Sequence, residues 1–312
     1  MLRKTFFGLV ALIMLAAVFA SAAAAQPAQS RPAYLAVGDS LAVGVGATTP
    51  DQGHVIRFYN YLRQNPQWQN RNPEGLSVAV SGETSTSMLA PGGQLDRAKV
   101  ELARNQDADP RNNVEVITVN IGGNDIRTLL VPGQPCAQSA QSAECIGAFT
   151  TMVTNYAKNL TVIMGTLRTI AGPNAVIITM TQYNPFSGTG AALDVAGDIA
   201  FGQYNGAIKT VVANPSVNAQ VADVFPLFKG KGPQLTHILT QDIHPNDSGY
   251  AVIFQAFVAS LEAVQPVSGL PTSGGSPSAN GSDSPWVVWL VIGVGAASVV
   301  GGLSMATKRA IR

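Results

Sequence analysis

The stretch Tyr34-Leu35-Ala36-Val37-Gly38-Asp39-Ser40-Leu41 joins a short apolar run, Tyr34–Val37, to a glycine, an aspartate and a serine. A short apolar run that ends at a turn-forming residue is typical of a strand buried on both faces of a parallel sheet. Four more runs in this 312-residue chain have the same form: Leu76–Val80, Val114–Ile121, Ala175–Thr181 and Ala219–Val224. Together they predict a sheet of five parallel strands.

Segments with helical spacing of apolar residues alternate with these runs. They are His54–Arg63, Gln94–Arg104, Cys145–Ile170, Ala191–Val212 and Tyr250–Leu261. In the last of them, apolar side chains recur three and four residues apart, as they do on the buried face of a helix. Five strand-then-helix units predict an α/β fold, a three-layer α/β/α sandwich with helices on both faces of the sheet.

Polar residues follow four of the predicted strands, where ligands bind in open parallel sheets. The four segments are Gly38-Asp39-Ser40-Leu41, Ser81-Gly82-Glu83-Thr84, Gly122-Gly123-Asn124-Asp125 and Asp242-Ile243-His244-Pro245-Asn246, and a longer loop separates the last of them from the fifth strand. They supply a hydroxyl, a backbone N–H at a glycine, a side-chain amide and an imidazole. Acyl transfer needs such a set, because it requires a nucleophile, oxyanion donors and a base.

In this order, the four segments resemble the signature blocks of the SGNH, or GDSL-type, hydrolases, a family of esterases and lipases. The resemblance covers residues 33 to 259. It implies a flavodoxin-like sheet of strand order 2-1-3-4-5 and hydrolysis of esters or thioesters. It also implies that Ser40 is the nucleophile and His244 the general base. The oxyanion hole would be formed by the backbone N–H groups of Ser40 and Gly82 and the side-chain amide of Asn124.

The residue that orients His244 is left open by this pattern. The family places an aspartate three residues before its histidine, but that position is Gln241 here, and Asp242 stands two residues before His244. Neutral glutamine would stabilise an imidazolium poorly. Either Asp242 reaches Nδ1 of His244, or a backbone carbonyl orients the ring, or the protein is a weak catalyst. We expect Asp242 to take the position.

The other two histidines are weaker candidates for the base. His54 lies early in a predicted helix, where a surface or packing role is expected. His237 lies in the same loop as His244, which suits a supporting contact or a substrate contact. We expect Asp39 and Asp125 to hold their loops by accepting hydrogen bonds from backbone N–H groups.

The only two cysteines, Cys136 and Cys145, flank a polar loop that follows the Asn124 segment. The chain ends, described next, predict export, and cysteine pairs in exported proteins are usually oxidised. We therefore expect a disulfide, with two buried free thiols as the alternative. We also expect this loop, together with Pro185–Gly190, to help form the substrate cleft.

Both ends of the chain carry targeting features. Residues 1–25 combine a basic start, an apolar run and an alanine-rich site, which is typical of a cleaved signal peptide; an uncleaved anchor is the alternative. Residues 286–306 are uncharged and long enough to span a bilayer as a transmembrane helix, and the basic tail at 307–312 favours a cytoplasmic C-terminus.

The predicted hydrolase domain, residues 26–265, would therefore lie outside a bacterial cell, at its surface. Residues 266–285 are rich in Ser, Gly and Pro and form a flexible linker to the predicted span. Within the linker, Leu270-Pro271-Thr272-Ser273-Gly274 resembles a sortase signal, with Ser273 where threonine is usual. Covalent wall attachment is thus open, and plain membrane anchoring is favoured.

Composition and charge narrow the class of partner. Lys and Arg number 19 and Asp and Glu 18, so the net charge is +1, and we expect no nucleic-acid partner, which would call for a basic surplus. No dinucleotide, phosphate-loop or zinc-protease motif occurs, and the expected chemistry implies no metal or organic cofactor. The sequence predicts an extracellular serine hydrolase of small-molecule or lipid esters, or of acylated glycans. A carbohydrate O-deacetylase and an inactive surface binding module are the alternatives.

Overall fold

A five-stranded sheet lies at the centre of the structure, a computed structural model that describes residues 31–106 and 109–264. Its strands are β1 Ala33–Gly38, β2 Glu74–Ser77, β3 Val114–Asn120, β4 Val176–Met180 and β5 Gln220–Ala222. The strand order is β2-β1-β3-β4-β5, and every neighbouring pair is parallel. The predicted α/β fold, the parallel sheet and the order 2-1-3-4-5 are confirmed.

Helices connect the strands. In chain order the described α-helices are α1 Ser40–Val43, α2 His54–Gln64, α3 Ser85–Met88, α4 Gln94–Asn105, α5 Gly123–Arg127, α6 Pro135–Gln138, α7 Ala143–Ala171, α8 Val195–Val212, α9 Phe225–Phe228, α10 Gly232–Leu235 and α11 Asp247–Glu262. Short 3₁₀ turns cover Pro50–Gln52, Pro110–Asn112 and Ile238–Thr240. The five longest helices correspond to the five predicted from apolar spacing.

Both faces of the sheet are covered, which explains the continuous apolar runs of its strands. In β1, Leu35 and Val37 point into a core formed with α4, α7 and α8. Tyr34 and Ala36 point into the opposite core, formed with α2 and α11. All four side chains are almost completely buried. The three predicted layers are therefore present.

Element boundaries differ from the predictions where loops compete with regular structure. The strand β2 ends at Ser77 rather than Val80, although the N–H groups of Val78 and Val80 still donate to carbonyls of β1. Helix α8 begins at Val195 rather than Ala191. The reason is that the carboxylate of Asp194 accepts hydrogen bonds from the N–H groups of Gly188 and Gly190 and holds the preceding residues in a loop.

The predicted signal peptide (1–25), linker (266–285), transmembrane helix (286–306) and basic tail (307–312) lie outside the described residues and stay predictions. The same holds for the sortase-like segment at 270–274. Within 31–106 and 109–264, no helix combines the length and the apolar character needed to cross a membrane.

Candidate active site

Ser40 lies at the carboxyl end of β1, where a buried aspartate fixes the backbone. Asp39 caps helix α1: its Oδ1 accepts hydrogen bonds from the N–H of Leu41 at 3.0 Å and from Nδ2 of Asn120 at 2.8 Å. Ser40 is the first residue of this helix, is 8% exposed and lines a cleft. The turn therefore presents one hydroxyl at the end of the sheet.

Gln94 also holds this turn, and the sequence analysis missed it. Its Oε1 accepts from the N–H of Gly38 at 2.6 Å, and its Nε2 donates to the carbonyl of Gly38 at 2.8 Å and to Oε2 of Glu83 at 3.0 Å. Gln94 thereby links the segment of Ser40 to that of Gly82. The sequence contains a sign of this role. Gln94 is a polar residue four positions before Ala98, on the face of α4 that is buried.

His244 joins Ser40 to Asp242. Its Nε2 lies 2.9 Å from Oγ of Ser40, and its Nδ1 lies 2.5 Å from Oδ1 of Asp242. Burial raises the pKa of Asp242, but hydrogen bonds from the backbone N–H and the ring of His244 outweigh it, so the pKa is below its ordinary value. Of the three arrangements left open by the sequence, the structure contains the one in which Asp242 contacts Nδ1.

The turn at Gln241 explains how an aspartate two residues before the histidine reaches the ring. Gln241 ends a short 3₁₀ turn in the left-handed conformation, with φ of 63°. The N–H of Asp242 then donates back to the carbonyl of His237 at 3.3 Å. This tight turn brings the Asp242 carboxylate to His244 and leaves Gln241 in the cleft wall.

His237 supports the loop that carries His244. Its Nε2 lies 2.8 Å from the carbonyl of Gly46, and its backbone N–H donates to the carbonyl of His244 at 3.0 Å. Gly46 has φ of 92°, and a Cβ there would lie 2.7 Å from the carbonyl oxygen of Pro245. The supporting contact expected of His237 is therefore present, and His237 does not line the cleft.

The three residues that carry the predicted oxyanion donors, Ser40, Gly82 and Asn124, line the same cleft. Nδ2 of Asn124 donates to the carbonyl of Glu83 at 3.0 Å, which fixes the amide and leaves its second N–H for another acceptor. Gly82 has φ of 83°, a conformation that favours glycine. In the described part of the chain, the backbone N–H groups of Ser40 and Gly82 have no hydrogen-bond acceptor.

Two buried carboxyl groups stabilise these loops, as expected. Asp125 accepts from the N–H of Ser85 at 2.9 Å and from its hydroxyl at 2.5 Å, and so ties α5 to α3, the helix that follows the Gly82 segment. Burial raises the pKa of Asp125, and it raises the pKa of Asp39 to about 7 despite the hydrogen bonds that Asp39 accepts. Both groups have structural roles beside the reacting atoms.

His54 is a packing residue. Its ring is 1% exposed and stacks on Tyr250 and Phe257, with ring centroids 5.9 Å and 5.4 Å away. Burial lowers its pKa to about 3, so the ring is neutral at physiological pH. Of the two roles expected for His54, surface or packing, the structure shows the packing role, and His54 does not line the cleft.

The cleft has a volume of about 570 Å³ and includes Pro185 and Phe186 of the predicted loop. Cys136 and Cys145 form the expected disulfide. Of the loop that contains them, residues 132–147, Pro132 lines the cleft, whereas the two cysteines line a second cavity beside it. Across the residues described here, no group of three or more His, Cys, Asp or Glu side chains is arranged to hold a metal ion.

Residues 36–252 match the model of the GDSL-like Lipase/Acylhydrolase family. The chain belongs to this family. The matched residues include Ser40, Gly82, Asn124 and His244.

Individual relatives of this GDSL-like chain are distant. Uncharacterized protein YpmR of Bacillus subtilis (strain 168) is 28% identical over 221 residues, which are 70% of this chain and 76% of that protein. Spore germination lipase LipC of Bacillus licheniformis is 24% identical over 230 residues, 73% of this chain and 95% of that protein. The solved structure of the lipase Lip_vut3 from a goat rumen metagenome shares the fold, with a TM-score of 0.56, 22% identity and coverage of 73% and 97%.

Proposed function

We propose that this GDSL-family protein is a serine hydrolase that cleaves carboxylic esters outside the cell through an acyl-Ser40 intermediate. The observation that carries the proposal is the hydrogen-bonded series from Asp242 through His244 to Ser40. It ends in a cleft where two backbone N–H groups and an amide N–H remain available. An activated hydroxyl beside a set of oxyanion donors supports acyl transfer.

The first half of the reaction forms the acyl-enzyme. Oγ of Ser40 attacks the ester carbonyl carbon while Nε2 of His244 accepts its proton, and Asp242 stabilises the imidazolium through Nδ1–H. The N–H groups of Ser40 and Gly82 and the Asn124 amide donate to the oxyanion that develops. The intermediate collapses when the bond to the alcohol oxygen breaks and His244 donates its proton to that oxygen.

The second half releases the acid. A water molecule loses a proton to Nε2 of His244 and attacks the acyl carbonyl, again with its oxyanion held by the same donors. The bond to Oγ then breaks, and the proton returns from His244 to Ser40. The products are a carboxylic acid and free enzyme.

A fluorophosphonate probe and a panel of p-nitrophenyl esters from acetyl to palmitoyl test the proposal, with Ser40→Ala as the control. We expect labelling of Ser40 in the folded protein and a drop in turnover of about 10⁴-fold or more in the variant, because the nucleophile is lost. Absence of both labelling and turnover would overturn the enzyme proposal. Turnover of acetyl esters alone would favour an O-deacetylase.

The cellular location is part of the proposal and rests on the two chain ends. The apolar run in residues 1–25 supports export, and the uncharged segment 286–306 with the basic tail 307–312 supports a membrane anchor. In a bacterial host, the full chain should fractionate with membranes and be accessible to protease in intact cells. A chain that ends at Pro285 should be released to the medium; its retention in the cytoplasm would contradict export.

A further inference from the structure

A second cavity adjoins the catalytic cleft. It has a volume of about 330 Å³ and is lined by α7, α8 and the disulfide of Cys136 and Cys145. Four apolar side chains, Ile126, Leu130, Phe186 and Phe201, line both the cleft and this cavity. The two spaces are therefore neighbours across one layer of side chains.

The chemistry of the second cavity suits a hydrocarbon. Its lining includes no Asp, Glu, Lys or Arg among the described residues, and carbon forms most of its surface. Three large apolar side chains of the lining are exposed to solvent, Leu130 at 37%, Ile146 at 58% and Ile199 at 61%. Covering such surface with another apolar group is favourable, at about 25 cal/mol per Å² of area removed from water.

The position of the cavity favours the acyl part of an ester over the alcohol part. Ile126 belongs to α5, the helix that also carries Asn124, so one helix supplies both an oxyanion donor and part of the cavity wall. The lining includes no residue of the His244 loop. His244 gives its proton to the alcohol oxygen, so the alcohol leaves on the His244 side of the cleft, and the acyl chain extends from the oxyanion hole in the other direction.

We propose that this cavity is the acyl-chain site and that the enzyme acts on esters of medium-length fatty acids. The inference rests on the proposed ester hydrolase function and adds its substrate class. An apolar cavity of about 150 Å³ binds benzene, with its six carbons, so the space here accommodates a chain of roughly a dozen carbons. The disulfide stabilises one wall of the site.

Filling the cavity tests the proposal. Ala200 lines the cavity but not the cleft, and Ala200→Phe places an aromatic ring in the space. We expect the ratio of kcat/KM for p-nitrophenyl decanoate over p-nitrophenyl acetate to fall by about tenfold or more, because lost burial of several methylenes costs more than 1.4 kcal/mol. Thr210→Phe, on the exposed face of the same helix, is the matched control and leaves the ratio unchanged.

Ala196 lines the same cavity, and Ala196→Leu adds a smaller side chain than Ala200→Phe does. This variant serves for the test if Ala200→Phe does not fold. It should lower the same ratio by a smaller factor. If wild type hydrolyses acetate and neither folded variant shifts the ratio, the acyl-chain site is wrong while the hydrolase proposal stands. If wild type is neither labelled at Ser40 nor active on any ester, the hydrolase proposal itself fails.

Discussion

The two sides of the catalytic cleft differ in how they are built. The Ser40 side lies at the carboxyl end of the central strand β1, where Asp39 and Ser40 are 2% and 8% exposed. Gln94 accepts a hydrogen bond from the backbone N–H of Gly38, and Asn120 donates one to the side chain of Asp39. The His244 side is a surface loop, in which the side chains of His244 and Asp242 are 22% and 44% exposed.

The pKa values of Asp39, on the Ser40 side, and Asp242, on the His244 side, shift in opposite directions because the two carboxyl groups differ in burial. Burial raises the pKa of Asp39 to about 7, whereas hydrogen bonds to His244 hold the pKa of half-exposed Asp242 below its ordinary value. A carboxylate that must balance an imidazolium has to stay ionised, and partial exposure allows this. The buried carboxyl serves as a hydrogen-bond acceptor that shapes the nucleophile turn.

Among the substitutions that compare the two sides, removing the carboxylate of Asp242 on the His244 side should lower kcat the most. We expect Asp242→Ala to lower kcat by about 10²–10⁴-fold, because Nδ1 of His244 loses the partner that stabilises the imidazolium. Steady-state kinetics with p-nitrophenyl esters would measure the change. Asp247→Ala, which removes an exposed carboxylate outside the cleft, is the control. A loss below about tenfold for Asp242→Ala would contradict the role of Asp242.

Asn124→Ala should lower kcat by a smaller factor than Asp242→Ala. Each oxyanion donor contributes about 3 kcal/mol to the transition state, so kcat should fall by roughly a hundredfold. The backbone of α5 should stay in place, because Asp125 still binds Ser85. The expected signature is therefore a low kcat in a folded protein, whose melting temperature falls only by the loss of the single hydrogen bond to Glu83. An unchanged kcat would remove Asn124 from the oxyanion hole.

The Ser40 side was predictable from sequence because its geometry is local to strand ends. The apolar run Tyr34–Val37 requires a buried strand, and the polar residues after it must then lie at the ligand-binding edge. The same reasoning placed Gly82 and Asn124. Family order supplied His244, whose loop has no strand of its own to fix it.

The His244 side was less predictable because it depends on one turn. Whether residue 241 or 242 reaches the ring follows from the left-handed conformation of Gln241, which propensity does not predict for glutamine. The second cavity was missed for a related reason. It arises from packing between α7, α8 and the residues near the disulfide, and apolar spacing alone does not reveal a space left between helices.

The smallest effect on turnover is expected for Asp39→Asn, and this variant sharpens the contrast between the two sides. Both hydrogen bonds to Asp39 end on the same oxygen, Oδ1, so an amide carbonyl at that position accepts from Leu41 and Asn120 equally well. The nucleophile turn should keep its shape. We therefore expect kcat to change by about threefold or less, which is under 1 kcal/mol.

Stability should respond to the same substitution in a pH-dependent way. The pKa of Asp39 is about 7 in the folded chain and ordinary, 3.8, when unfolded, so the folded state binds more protons between these values. Wild type should thus lose stability relative to Asp39→Asn as pH rises from about 4, by roughly 2–4 kcal/mol in total, and the difference should level off above about pH 8. Urea unfolding of both proteins at several pH values measures this difference, in which titrating groups that do not interact with Asp39 cancel. A difference that is constant across the window would show that Asp39 is ionised throughout, like Asp242, and that burial does not separate the two sides.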